Sequence, residues 1–209
     1  MKTASSFALL ALAIGFSSCS DDKDDNTTTP TPALEATTVS NLAAGVTTTT
    51  GGGGQPTSAT KYTFYSFANK AVVANADSNS TKWDVGFKGT TIIVNGGISG
   101  PGQGGALVQD GLFTEAATAP ETGFKVDAAS GLAIPTGSNN GWYNYNSANN
   151  LVTPLAGKVI MVRTATGKYA KLEIVSYYQN APATPTPTSV SRYYTFRYLY
   201  QPDGSRNLK

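Results

Sequence analysis

The side chains able to do chemistry are few and of restricted kinds. The chain has 209 residues, no histidine, one cysteine (Cys19) and two methionines, Met1 and Met161. Histidine triads, histidine metal sites and histidine ligation of iron are therefore excluded. One cysteine permits neither an intramolecular disulfide nor a thiolate cluster. Carboxylates stand at Asp84, Asp110, Glu115, Glu121, Asp127 and Glu173, but no spacing pairs two of them for acid–base work. What remains is binding chemistry. In Gly141-Trp142-Tyr143-Asn144-Tyr145-Asn146, aromatic faces alternate with amide groups, which suits stacking on a flat ligand or sugar ring while hydrogen bonding its edge. If that run is a strand, Tyr143 and Tyr145 share one of its faces. The expectation is a binding protein and not an enzyme.

The elements that must position these residues read as strands. Gly157 to Tyr178 is a hairpin: Lys158–Arg163, a Thr-Ala-Thr-Gly turn, then a long second strand. The first strand is apolar nearly throughout, as for a strand covered on both faces. In the second, Ala170, Leu172, Ile174, Ser176 and Tyr178 fall on one face, with Lys171, Glu173, Val175 and Tyr177 on the other, the period of a half-buried strand. Upstream, Tyr62–Phe67, Lys82–Phe87, Thr91–Val94 and Ala106–Val108 are strand-like, and Phe113–Thr122 is the one candidate for a helical turn, cut by Pro120. The Gly-rich run Asn95–Gly105 lacks a Gly-Lys-Ser/Thr ending, so it is no phosphate cradle. A Pro-stiffened connection, Ala181–Pro187, leads to the aromatic Arg192–Tyr200. The predicted fold is all-β and mostly antiparallel, one domain over 58–209.

The N-terminus reads differently. Lys2 precedes an apolar run of ten, Phe7 to Phe16, too short to span a bilayer but right for a signal peptide over 1–18. Small residues before Cys19 resemble a bacterial lipobox, in which the thiol is diacylated and becomes the membrane anchor. The acidic run Asp21-Asp22-Lys23-Asp24-Asp25 resembles the export signal of surface-displayed Bacteroidota lipoproteins; a solvated spacer is the other reading. Residues 19–57 are Thr-, Pro- and Gly-rich and read as a flexible tether, within which Leu34, Val39, Leu42 and Val46 allow one brief strand. The net charge of +2 comes without a basic cluster, which argues against nucleic-acid binding.

A resemblance covers about residues 60 to 200. Trp83-Asp84, Gly100–Ala106, Thr118-Ala119-Pro120, Gly123–Asp127, Gly141-Trp142 and above all Val162–Lys171 occur in the order and spacing of the HmuY family of Bacteroidota haem-binding surface lipoproteins. The resemblance implies a β-rich domain with a ligand cleft between protruding β-loops. It also implies haem acquisition at the outer membrane, with scavenged haem presented to an outer-membrane receptor. The family's best-known member ligates iron through two histidines on the excursions flanking the Gly-Trp strand. Here the first excursion is Pro135–Asn140, and Ser147 or a neighbour stands in the second, so bis-histidine ligation is impossible. Other members use methionine; Met161 lies within a strand between Ile160 and Val162, where core packing is the better reading and ligation the other. Tyr143 and Tyr145 could ligate iron or serve as packing and rim aromatics. The expectation is a surface-anchored outer-membrane lipoprotein that binds haem, porphyrin or a related ligand without histidine. The alternative is a module for a glycan or host protein that has lost haem binding.

Overall fold

The computed structural model describes residues 34–45 and 61–209. Eleven strands and one short 3-10 turn (Asn75–Asp77) make up its regular structure. The larger sheet has the order β1 (Thr37–Ala43), β11 (Ser191–Gln201), β10 (Tyr169–Tyr178), β9 (Lys158–Arg163) and β6 (Gly105–Asp110). The smaller is β3 (Ala71–Val73), β2 (Thr63–Ser66), β4 (Val85–Lys88) and β5 (Thr91–Val94), and β7 (Tyr143–Asn146) pairs with β8 (Leu151–Pro154) as a ribbon. Every pairing is antiparallel. The all-β expectation holds.

Side-chain alternation explains the layering. On β4 and β5, Val85, Phe87, Ile92 and Val94 turn to the main core, where they join Ile160, Val162, Leu172, Tyr194, Phe196 and Tyr198 of the larger sheet. The opposite face of the smaller sheet carries Phe64 and Ile93 against Trp83. On the larger sheet's other face, Val159, Met161 and Leu199 meet Phe113, Ala119 and Leu208. Both faces of that sheet are thus covered, as the apolar run of β9 requires. The segment Phe113–Thr122, read as a helical turn, provides part of this cover through turns and a bridge at Thr118, with no helix. Pro120 and the need to follow the sheet leave no room for helical periodicity.

Residues 37–43, where the sequence allows one brief strand within the tether, form the edge strand β1, with Val39 opposite Phe196 and Leu42 opposite Tyr194. Two apolar side chains directed at an aromatic strand outweigh the polar composition around them. In β10, two expectations are corrected. Lys171, on the β10 face opposite Leu172 that a half-buried strand would leave uncovered, is buried: its Nζ donates to Ala116 O at 3.1 Å and lies 4.8 Å from the Phe113 ring centroid. Burial, and after it the charge of Arg197, lower its pKa. Tyr177, assigned to that same face, joins the main core. The β10–β11 register shifts between Ile174 and Ser176 and again before Tyr178, and these bulges break strict alternation.

Buried polar residues bind the layers together. The Asp84 carboxylate accepts the Phe67 N–H at 2.8 Å and the Ala165 N–H at 3.1 Å, tying β2 to the β9–β10 turn. Asp127 accepts the Val94 and Ala133 N–H groups at 2.9 and 2.8 Å. Asn95 donates to Ser80 O and Trp83 O and accepts from the Gly102 N–H, so the Gly-rich run is wrapped around one buried amide. Glycine is required there for closeness: a Cβ on Gly100 would stand 2.2 Å from Asn95 Oδ1.

Candidate binding cleft

The predicted binding residues lie around the β7–β8 ribbon, but the structure does not bring them to one surface. Trp142 is 2% exposed; its Nε1 donates to Thr90 O at 3.0 Å, and its ring packs against Tyr143, Tyr177 and Tyr194. It offers no free face for stacking, which corrects its reading as a contact surface. Tyr143, 8% exposed, belongs to the same aromatic cluster. Tyr145 is 43% exposed on the ribbon and donates through its hydroxyl to Asn150 Oδ1 at 2.6 Å. Ser147 is exposed at the ribbon tip. Met161 is fully buried on the larger sheet's other face, among Val159, Phe113, Leu199 and Leu208. Because side chains alternate along β9, Met161 points away from the aromatic cluster that Ile160 and Val162 enter. Cys19 and the acidic run beside it lie outside the described residues.

The first excursion beside the Gly-Trp strand is tied back onto β7. Ser138 Oγ accepts the Tyr145 N–H at 2.7 Å, the Asn139 N–H donates to Tyr143 O at 2.8 Å, and Asn144 Nδ2 donates to Asn139 Oδ1 at 3.0 Å. Asn139, at φ 64°, takes the left-handed conformation that asparagine tolerates in such turns. The opening lies instead on the other side of the ribbon. There Asn150, Leu151 and Val152 face the β10–β11 connection and the strand ends across a cleft of about 340 Å³. Tyr177, Tyr178, Thr186, Pro187, Ser189, Ser191 and Arg192 complete the lining. A larger hollow of about 620 Å³ runs between β1 and the β2–β3 region, lined mainly by Thr37–Ala43 with Lys70, Ala71 and Val72.

The cleft owes its composition to irregular backbone. Between the pairs Ser176–Thr195 and Tyr178–Ser191, three residues of β11 (192, 193 and 194) stand opposite Tyr177 alone. This irregularity takes Arg192 out of the β10 ladder with φ at 67°, while its carbonyl still accepts the Ala44 N–H at 2.8 Å. Tyr178 Oη accepts the Val152 N–H at 2.9 Å and so ties β10 to the ribbon. Burial pushes the Tyr177 hydroxyl up to about 12, against the opposing charge of Arg192. Sequence reading missed Tyr177, Tyr178 and Arg192, because regular alternation sent Tyr177 to the wrong face. The available signal was a pair of aromatics at a strand end, followed across a Pro-rich connection by a cation that opens the next strand. Among the described residues, no three His, Cys, Asp or Glu side chains gather as a metal site.

With this geometry in hand, comparison with known proteins identifies the class. A model of the HmuY protein family matches residues 58–198, and the chain belongs to that family. A search of curated proteins finds no match. Among solved structures, a candidate lipoprotein from Bacteroides fragilis NCTC 9343 is 20% identical, covering 81% of this chain and 92% of its own, with a TM-score of 0.52. The apo HmuY analog of Tannerella forsythia is 13% identical over 81% of this chain and 96% of its own, at a TM-score of 0.51. A candidate HmuY-like haem-binding protein from Bacteroides vulgatus ATCC 8482 is 19% identical over 79% and 91%, at 0.49. At these identities what the first two share with this chain is the fold.

Proposed function

We propose that this protein is a lipid-anchored binding protein of the outer-membrane surface that takes haem, a porphyrin or a related planar ligand without histidine. The observation that carries the reading is the family match over 58–198. The residues present fit the two halves of such a ligand unequally. Leu151, Val152, Pro187 and the two tyrosines supply an apolar and aromatic lining, and Arg192 supplies a cation. Strong axial ligation of iron is poorly served: Met161 is sealed elsewhere, and burial pushes the Tyr177 hydroxyl up to about 12, which disfavours a tyrosinate. Capture would therefore rest on the macrocycle and its edge groups.

The test is an absorbance titration of the 58–209 domain extended to include β1, with hemin and with metal-free protoporphyrin IX in parallel. Saturable band shifts with both support the reading; no shift with either defeats it. Anchoring is tested separately. Labelled palmitate should enter the full chain during expression and be absent from Cys19→Ala. Delivery of the ligand to an outer-membrane receptor completes the proposal.

The exposed Tyr145, with Asn144, Asn146, Asn149 and Asn150 around it, favours a second reading as a glycan or host-protein module. A glycan array with Tyr145→Ala as control decides this: hits lost in the variant support it, and an array without hits removes the glycan arm.

A further inference from the structure

Among the described residues, Arg192 is the only charged one in the lining of the ribbon cleft, and no carboxylate of theirs faces it there. Among the described residues it takes part in none of the ion pairs, which join Lys82 to Asp77, Lys158 to Asp110 and Arg197 to Glu173. The guanidinium bonds the Tyr177 side chain, but its Nη1 is buried and has no hydrogen-bond partner. A buried guanidinium donor without an acceptor is an unfavourable arrangement that native structures seldom keep without a use. Its backbone also takes the left-handed conformation at the β11 bulge, which is uncommon for a residue with a long side chain. Beside it, Tyr178 Oη accepts from Val152 and keeps its own proton for a further acceptor. Leu151, Val152 and Pro187 provide the apolar remainder.

We propose that Arg192 is a carboxylate-reading residue, and that the cleft takes an anionic ligand with an apolar body. The carboxylate meets the guanidinium fork, with the Tyr178 hydroxyl as a second donor, while the body lies against Leu151, Val152 and Pro187. This rests on the placing of the site argued above, but not on the ligand being a porphyrin. A planar guanidinium suits two parallel hydrogen bonds to a carboxylate, which a lysine ammonium does not reproduce. A neutral ligand would leave the cation unmatched, so the cleft discriminates by charge.

Two probe pairs test this on the folded domain. In the first, 2-naphthoate and its neutral amide are titrated while the Arg192 Nε–H resonance is followed by NMR. Naphthoate should move that resonance saturably and the amide should not; equal effects, or none from either, overturn the proposal. In the second, protoporphyrin IX is compared with its dimethyl ester. The free acid should bind at least about tenfold more tightly, as for one charge-assisted contact. That ratio should fall towards one in Arg192→Gln and stay intermediate in Arg192→Lys, with circular dichroism confirming that both variants fold. An unchanged ratio in Arg192→Gln also overturns the proposal. If naphthoate binds and neither porphyrin does, the carboxylate subsite stands and the porphyrin reading falls.

Discussion

Asp84 shows how a single residue can carry more structure than its sequence neighbourhood suggests. Its two oxygens accept backbone N–H groups from Phe67 and Ala165, which are far apart in the chain. Asp84→Asn keeps the shape but sets an amide donor against one of those N–H groups, and should cost about 1–3 kcal/mol in urea unfolding. Burial raises the Asp84 pKa above 3.8, against the lowering effect of its two backbone partners. The folded state therefore binds its proton more tightly, so the associated stability is present below pH 3.8 and is lost as pH rises through the folded value. The variant should lack that acid-side slope. Tyr177 gives the alkaline counterpart. Its folded value of about 12 exceeds the ordinary 10.0, so its contribution is intact below pH 10 and is lost as pH rises through 12. Tyr177→Phe should remove on the order of 2–3 kcal/mol of that alkaline loss, seen as a smaller difference between urea midpoints at pH 9 and pH 12. Met161→Leu, a swap of similar volume in a sealed cluster, should cost under about 1.5 kcal/mol and leave porphyrin titrations unchanged.

At the scale of elements, the strands announced themselves and their irregularities did not. The β9–β10 hairpin, the β4–β5 pair and the aromatic closing strand follow from apolar and β-branched runs with turn residues between them. The inward placing of Tyr177 did not, because a bulge resets the side-chain period without any glycine or proline to mark it. β1 was legible only as four spaced apolar residues in a polar stretch, since its stability comes from pairing with a strand about 150 residues downstream. The Gly-rich run was legible as a loop, but not as the wrapping of Asn95, which is a matter of three-dimensional closeness. Gly100→Ala places a Cβ 2.2 Å from Asn95 Oδ1 and 2.8 Å from the Trp83 ring. Asn95 cannot yield without releasing Ser80 O and Trp83 O, so the change should lower stability by about 1–3 kcal/mol in thermal unfolding.

At the scale of the whole molecule, the residues that carry the family resemblance are mostly those that hold the layers together. Asp84, Asn95, Asp127, Gly100 and the β9–β10 turn form joints, and the ribbon cleft lies apart from them. This division explains why fold and family were readable while the cleft was not. Joints depend on particular residue types, whereas the cleft depends on where a bulge turns two tyrosines and an arginine. The same layout gives the protein two separate optical probes. Trp142 packs on Tyr177, a wall of the cleft, whereas Trp83 is enclosed with Phe64 and Ile93 in another cluster. A chromophore seated against Tyr177 should drain the excited state of Trp142 more strongly than that of Trp83. Ligand-induced loss of fluorescence should then persist in Trp83→Phe and shrink in Trp142→Phe, so the protein's own emission would report which side of the ribbon is occupied.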